Sequence, residues 1–87
     1  MNDDEAREVV RAVLHEVAPE ADLDTVGPGE ALQEAFDLDS IDFLNFAEGI
    51  HERTGIEVHE RDYPELATLS GCVAYLTKSV SGTPASD

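Results

Sequence analysis

The sequence predicts an all-α fold: a small four-helix bundle of three main helices and one short helix, with a long first loop. Three observations carry this. Apolar residues recur at three- and four-residue steps in three separate segments. Residues with helix-start and helix-stop chemistry bracket those segments. Strand-like alternation occurs only in Ile56-Glu57-Val58, which is short and alone, so an extended linker is expected there. With 87 residues the chain is expected to form one domain, residues 1–80. Residues 81–87, Ser-Gly-Thr-Pro-Ala-Ser-Asp, have nothing to bury and are expected to be a disordered C-terminal tail.

The first helix is marked by Ala6, Val9, Val10, Val13, Leu14 and Val17. Asn2 can cap it, and Glu5 stands three residues on, as a capping box requires. The acids Asp3, Asp4 and Glu5 suit the positive end of the helix dipole. Pro19 stops the pattern and biases Ala18 away from helix. Residues 19–39 then read as a long connection broken by Gly27-Pro28-Gly29. Leu23, Val26, Leu32, Phe36 and Leu38 are too many apolar side chains for a free linker. The loop is therefore expected to be pinned to the core, with a short helical turn near Glu30–Ala35.

A second main helix is expected from Ser40 to about Thr54. Asp39 can accept hydrogen bonds from its first amides, and Asp42 adds negative charge at the dipole's positive end. Gly55 is a natural stop because it adopts positive φ at little cost. Phe43, Phe46, Ala47 and Ile50 form its apolar stripe. Ile41 and Leu44 lie beside that stripe and widen it beyond one core face. A short helix is expected over Glu60–Leu66, limited by Pro64. Thr68 or Ser70 can cap a last helix carrying Leu69, Cys72, Val73, Leu76 and Val80. The interior is expected to include Val10, Val13, Val17, Phe36, Phe46, Ile50, Leu66, Leu69, Val73 and Leu76.

Charge narrows the function. Twenty Asp and Glu face five Lys and Arg, a formal net charge of -15. Such a surface repels nucleic acid and anionic membranes and speeds encounter with basic protein surfaces. It also favours a soluble monomer. A chain this short buries only about 60% of the surface its unfolded form exposes, which leaves little room for a deep catalytic cleft. No secretory signal or membrane-spanning run is read from the sequence, and Cys72 is the one cysteine, so a cytoplasmic location is expected. His15, His51 and His59 are scattered, no calcium-loop or phosphate-loop pattern occurs, and no metal site is expected. Cys72 falls on an apolar stripe and reads as a buried, inert thiol.

One hydroxyl remains. Asp37-Leu38-Asp39-Ser40-Ile41-Asp42-Phe43-Leu44 puts Ser40 where a loop turns into a helix. No general base stands near it in sequence, so self-activation is not expected. A projecting hydroxyl among carboxylates and apolar residues is well placed for another protein to find and modify. An isolated Asp-Ser pair is otherwise only a helix cap.

Here the chain resembles the acyl carrier protein family. Asp39-Ser40-Ile41 matches its Asp-Ser-Leu core with Ile for Leu. The helix layout, the Gly55-Ile56-Glu57-Val58 connection and the Thr68-Leu69 start of the last helix extend the resemblance over residues 5–78. It implies a non-catalytic carrier in which Ser40 bears a 4′-phosphopantetheine arm, transferred from coenzyme A by a phosphopantetheinyl transferase. It implies cargo held as thioesters and delivered to enzymes of fatty acid or polyketide synthesis: a loading enzyme, a ketosynthase, or other acyl-processing partners with basic patches. Ile41 and Leu44 are the expected apolar docking spot, with Asp39, Asp42 and Glu48 as its charged surround. Asp37 departs from the pattern, since the family commonly has glycine there. Asn45, His51 and Arg53 make the later helix less acidic than is usual. Two other readings stand beside this one. The first is an aminoacyl or peptidyl carrier of nonribosomal synthesis or D-alanylation, which Asp39 before the serine disfavours. The second is an acidic helical adaptor in which Ser40 is only a cap.

Overall fold

Helix α1 (Asp3–Val17) starts where its cap is written. The Asn2 side chain accepts from the Glu5 amide at 2.8 Å, and the Glu5 carboxylate accepts from the Asn2 amide at 3.1 Å. In this computed structural model, residues 1–82 are described, and the remainder of the expected tail, residues 83–87, lies outside the described residues. Ala6, Val10, Val13 and Leu14 form the buried face of α1. Ala18, with φ -140° and ψ 86°, ends the helix ahead of Pro19.

The long loop is held down as expected, by more than its apolar side chains. A 3₁₀ turn at Leu23–Thr25, not foreseen from the sequence, is capped by the Asp22 side chain on the Asp24 amide at 3.0 Å. Leu23 and Val26 are buried. Arg7 and Arg11 reach from α1 to Asp24 at 3.2 and 3.1 Å. Farther on, Ala31 forms an isolated antiparallel bridge with Thr68. The Leu32 amide donates to the Ala67 carbonyl at 2.8 Å, and the Ser70 amide to that of Pro28 at 3.0 Å. These bonds satisfy backbone groups that a packed loop would otherwise bury unpaired. The short helix α2 (Leu32–Ala35) buries Leu32. Asp37 then takes positive φ, 56°, at the position where glycine is usual in the family it resembles. The turn brings the Leu38 amide to the Gln33 carbonyl at 2.9 Å and aims the chain into the next helix.

Helix α3 (Ser40–Thr54) ends at Gly55 with φ 74°, and buries Phe43, Phe46, Ala47 and Ile50. Residues 56–59 carry no regular secondary structure and form no strand, as expected of a linker. A 3₁₀ helix, Glu60–Leu66, follows with Pro64 inside it. Helix α4 (Leu69–Gly82) is capped by Thr68 rather than Ser70, since Thr68 Oγ1 accepts from the Gly71 amide at 3.0 Å. It therefore covers Ser81 and Gly82 at the start of the expected tail.

Helix α1 packs on both α3 and α4, and α4 packs on the 3₁₀ helix. The result is the small helical bundle the periodicity predicts, with no strand among the described residues. Gly49 lets α1 come close to α3: a Cβ there would stand 2.6 Å from Val13 Cγ1. Gly71 does the same between α4 and the 3₁₀ helix, where a Cβ would meet the Glu65 carbonyl.

Three expected interior residues are only half-buried: Val17, Phe36 and Val73. Val17 borders a polar hollow with Glu16, Asp42, Asn45 and Glu52. Phe36 caps a four-residue helix and lines a surface hollow with Ala18, Pro19 and Asp37. Val73 flanks the α4 stripe, and Tyr75 takes the buried place on the other flank. Leu23, Leu32 and Leu38 from the loop fill the remaining interior.

Candidate functional site

The geometry around Ser40 begins with the cap of α3. The Asp39 carboxylate accepts from the Asp42 amide at 2.8 Å, and the Asp42 carboxylate accepts from the Asp39 amide at 3.3 Å. This reciprocal box fixes the first turn of the helix. The sequence showed Asp39 as the cap but not that Asp42 returns the bond. Both carboxylates are thus committed to backbone amides. Ser40 is exposed, and among the described residues its hydroxyl has no hydrogen-bond partner.

Ser40, Leu44 and Glu48 fall at successive four-residue steps, and Ile41 sits three residues before Leu44, so all four share one outward face of α3. Ile41 is 65% exposed and Leu44 40%, the large apolar side chains left most open among the described residues. Glu48 is exposed, while Asp42 is half-buried at the edge of this face. Asp42 and Glu48 meet Glu16 and Glu52 around a hollow of about 300 Å³. Three of the five basic residues are paired away from this face: Arg7 and Arg11 with Asp24, Arg53 with Glu16 at 2.6 Å. On α3 itself the face around Ser40 is apolar at Ile41 and Leu44 and negative at Asp42 and Glu48.

Beside Ser40 lies a surface cleft of about 490 Å³, between α3 and the 3₁₀ helix. Phe43, Leu44, Tyr63, Pro64 and Ala67 give it an apolar floor, with Gln33 and Glu60 as polar neighbours. The sequence pointed to Pro64 only as the limit of a short helix and did not single out Tyr63 or Ala67. They lie in a short segment without helical periodicity, where an aromatic residue directly before a proline is the one available signal. The Tyr75 hydroxyl holds that segment in place, 3.0 Å from the Glu57 carbonyl and 3.1 Å from Asp62 Oδ2.

This arrangement does not activate its own hydroxyl. No histidine or uncommitted carboxylate is bonded to Ser40. The one thiol, Cys72, is buried and donates to the Leu66 carbonyl at 3.3 Å; burial pushes its pKa up to about 12, so it stays protonated at neutral pH. Among the described residues no cluster of three or more His, Cys, Asp or Glu is placed to hold a metal ion, and no helix is long and apolar enough to cross a membrane. What the site does fit is a covalently attached group: its hydroxyl is exposed and unbonded, it stands on a fixed helix start, and it opens onto an apolar cleft.

The family model described as "Phosphopantetheine attachment site" matches residues 6–76. The chain belongs to this family. The match runs from the first turns of α1 into the second half of α4 and so takes in the whole bundle. Searches of curated proteins and of solved structures returned no match. A domain of this family is the site of covalent 4′-phosphopantetheine attachment, and the family covers the carrier domains of acyl carrier proteins. Such phosphopantetheine carriers are generally non-catalytic and work with phosphopantetheinyl transferase and acyl-processing enzymes.

Proposed function

We propose that this protein is a non-catalytic acyl carrier with Ser40 as its attachment residue, serving fatty acid or polyketide type synthesis. The observation that carries the reading is the unbonded, exposed hydroxyl at the first position of α3, inside a chain that belongs to the phosphopantetheine-attachment family. Asp39 and Asp42 hold the helix start and leave the hydroxyl free. Ser40 Oγ attacks the pantetheine phosphorus of coenzyme A in the active site of a transferase. The Oγ–P bond forms, the phosphoanhydride bond breaks, and the adenosine bisphosphate half leaves. The hydroxyl proton passes to a base on the transferase, because this chain offers none. When bound, the group supplies a terminal thiol on which cargo is held as a thioester.

Ile41 and Leu44 are the docking spot for the transferase and the acyl-processing enzymes, and Asp39, Asp42 and Glu48 are its acidic border. A partner with an apolar dimple ringed by Arg or Lys complements it. Tethering raises the local concentration of cargo at each docked enzyme without any new contact to the cargo itself. Asp39 directly before the serine supports the acyl type over the peptidyl type.

The test is to incubate the purified apo protein with coenzyme A and a promiscuous phosphopantetheinyl transferase, then map the modified residue by mass spectrometry. The expected outcome is one phosphopantetheine on Ser40 and none on Ser40→Ala. A folded protein that gains no mass, or gains it at another serine, overturns the assignment.

A further inference from the structure

Three aromatic rings run in a row from the Ser40 cleft into the core. Tyr63 lines the cleft and meets Phe43 edge-on, with centroids 5.7 Å apart and planes at 80°. Phe43 in turn packs on Phe46 at 6.0 Å. Phe46, Ile50, Leu66 and Leu76 behind them have no exposure. Tyr63 is held in register by its neighbours: Asp62 accepts from the Tyr75 hydroxyl and from the His59 amide at 3.3 Å, and Pro64 stiffens the backbone on the other side. The edge-to-face contact thus closes the seam between α3 and the 3₁₀ helix directly beneath the cleft.

We propose that Tyr63 limits the cargo of this carrier: the cleft beside Ser40 takes a short acyl group, and the Tyr63–Phe43 contact bars a long saturated chain from the core. The proposal rests on the reading of Ser40 as the attachment residue. The occupant follows from the continuity of the site, because Ser40 itself lines the cleft, so whatever is tethered there has this floor within reach. A long chain lying across the cleft would strip water from Gln33 and Glu60 without offering them hydrogen bonds. A chain entering the core would have to push the packed Tyr63 and Phe43 rings apart and displace the fully buried Phe46, Ile50, Leu66 or Leu76. A short acyl group meets neither obstacle.

The experiment uses the full chain converted to its holo form, with attachment at Ser40 verified by mass, then charged with acetyl, butyryl, octanoyl or palmitoyl groups. Chemical shifts of the ring and methyl groups report where each cargo lies, and thioester hydrolysis rates report its protection. Butyryl is expected to move the signals of Leu44, Tyr63 and Ala67 and to leave Phe46, Ile50 and Leu76 in place. Octanoyl and palmitoyl are expected to leave those core signals unmoved as well, and to hydrolyse at the butyryl rate. Each methylene taken out of water favours the buried state by about fourfold. In Tyr63→Ala, octanoyl should therefore reach Ile50 and hydrolyse at least about tenfold more slowly. Tyr75→Phe, which removes only the hydroxyl that holds the segment, should shift the octanoyl rate the same way by a smaller factor. Octanoyl signals at Phe46 or Ile50 in the unaltered protein overturn the proposal, and that series decides the matter even if Tyr63→Ala does not fold. An octanoyl rate unchanged in a folded Tyr63→Ala also overturns it. Failure of any group to attach at Ser40 is a separate result, which removes the attachment assignment and this proposal with it.

Discussion

Asp39 and Asp42 clasp the start of α3 from both sides, with the Asp39 carboxylate 2.8 Å from the Asp42 amide and Ser40 held between them. The bond is made at an exposed helix terminus, so its worth is that of a cap rather than of a buried pair. Asp39→Ala is expected to lower stability by about 1 kcal/mol. Asp39→Asn keeps an acceptor oxygen and should lose less than half of that. Urea unfolding with an unchanged slope checks both. Equal losses in the two variants would show that charge, and not capping, is what Asp39 contributes.

On the outward face of α3 the expectation separates folding from recognition. Ile41 is 65% exposed, so Ile41→Ala should melt within about 0.5 kcal/mol of the unaltered protein. Its modification by the transferase should nevertheless slow, because the proposed apolar contact is gone. Glu48→Gln should act differently, reducing the salt sensitivity of the rate with little change in stability, since encounter of a chain with net charge -15 and a basic partner is screened by salt. Plotting kcat/KM of modification against ionic strength for both variants distinguishes the two effects. An Ile41→Ala protein modified at the full rate removes Ile41 from the docking surface.

Stability should fall on the alkaline side. Burial raises the Cys72 thiol from 9.0 to about 12, and burial together with the Asp62 hydrogen bond raises the Tyr75 phenol from 10.0 to about 12. Both groups titrate later in the folded chain than in the unfolded one. Their contribution is complete below the unfolded values and is lost as pH rises from there through about 12. The urea midpoint is therefore expected to decline steadily above about pH 9. Asp24 works in the opposite sense at the acid end: hydrogen bonds from Arg11 and Arg7 hold its carboxyl below the usual range, so its contribution disappears as pH falls through that lowered value. The same burial makes Cys72 unreactive. At mildly alkaline pH a thiol reagent should label the apo protein only after unfolding, whereas the holo protein should label at once through its added thiol. A midpoint that stays flat into strong alkali, or rapid labelling of folded apo protein, contradicts this account.

The helix ends were the most legible part of the sequence, because each is set by chemistry within a few residues. Asn2 with Glu5, Asp39, Gly55 and Thr68 all stand where local rules put them. The positive φ of Asp37 was signalled only by the resemblance, in which glycine is common at that position, and Asp is among the few other residues that tolerate it. What was not legible depended on partners far along the chain. The Ala31–Thr68 bridge and the Leu32-to-Ala67 bond tie the long loop to the start of α4, and no periodicity announces them. Phe36 was expected inside because it is large and apolar, yet a four-residue helix does not carry it under the core. The cleft wall was missed in the same way. Tyr63 acquires its place only because Tyr75, twelve residues on, anchors the segment around it.

Gly49 and Gly71 mark where the helices come closest, and substituting each should read out the packing. Gly71→Ala drives a methyl into the Glu65 carbonyl, a backbone atom that cannot swing aside, and is expected to cost about 1–3 kcal/mol. Gly49→Ala sets two effects against each other. Alanine favours the helix interior by about 1 kcal/mol, but its Cβ would lie 2.6 Å from Cγ1 of Val13, which is fully buried and has nowhere to go. A net loss is expected, and it should depend on Val13. Trimming that neighbour with Val13→Ala makes room for the added methyl, so the double variant should lose less than the sum of the two single changes by about 1 kcal/mol. Unfolding measurements on the four proteins of the cycle give that coupling directly. Strictly additive losses would mean that α1 and α3 do not approach at these two residues as the packing requires.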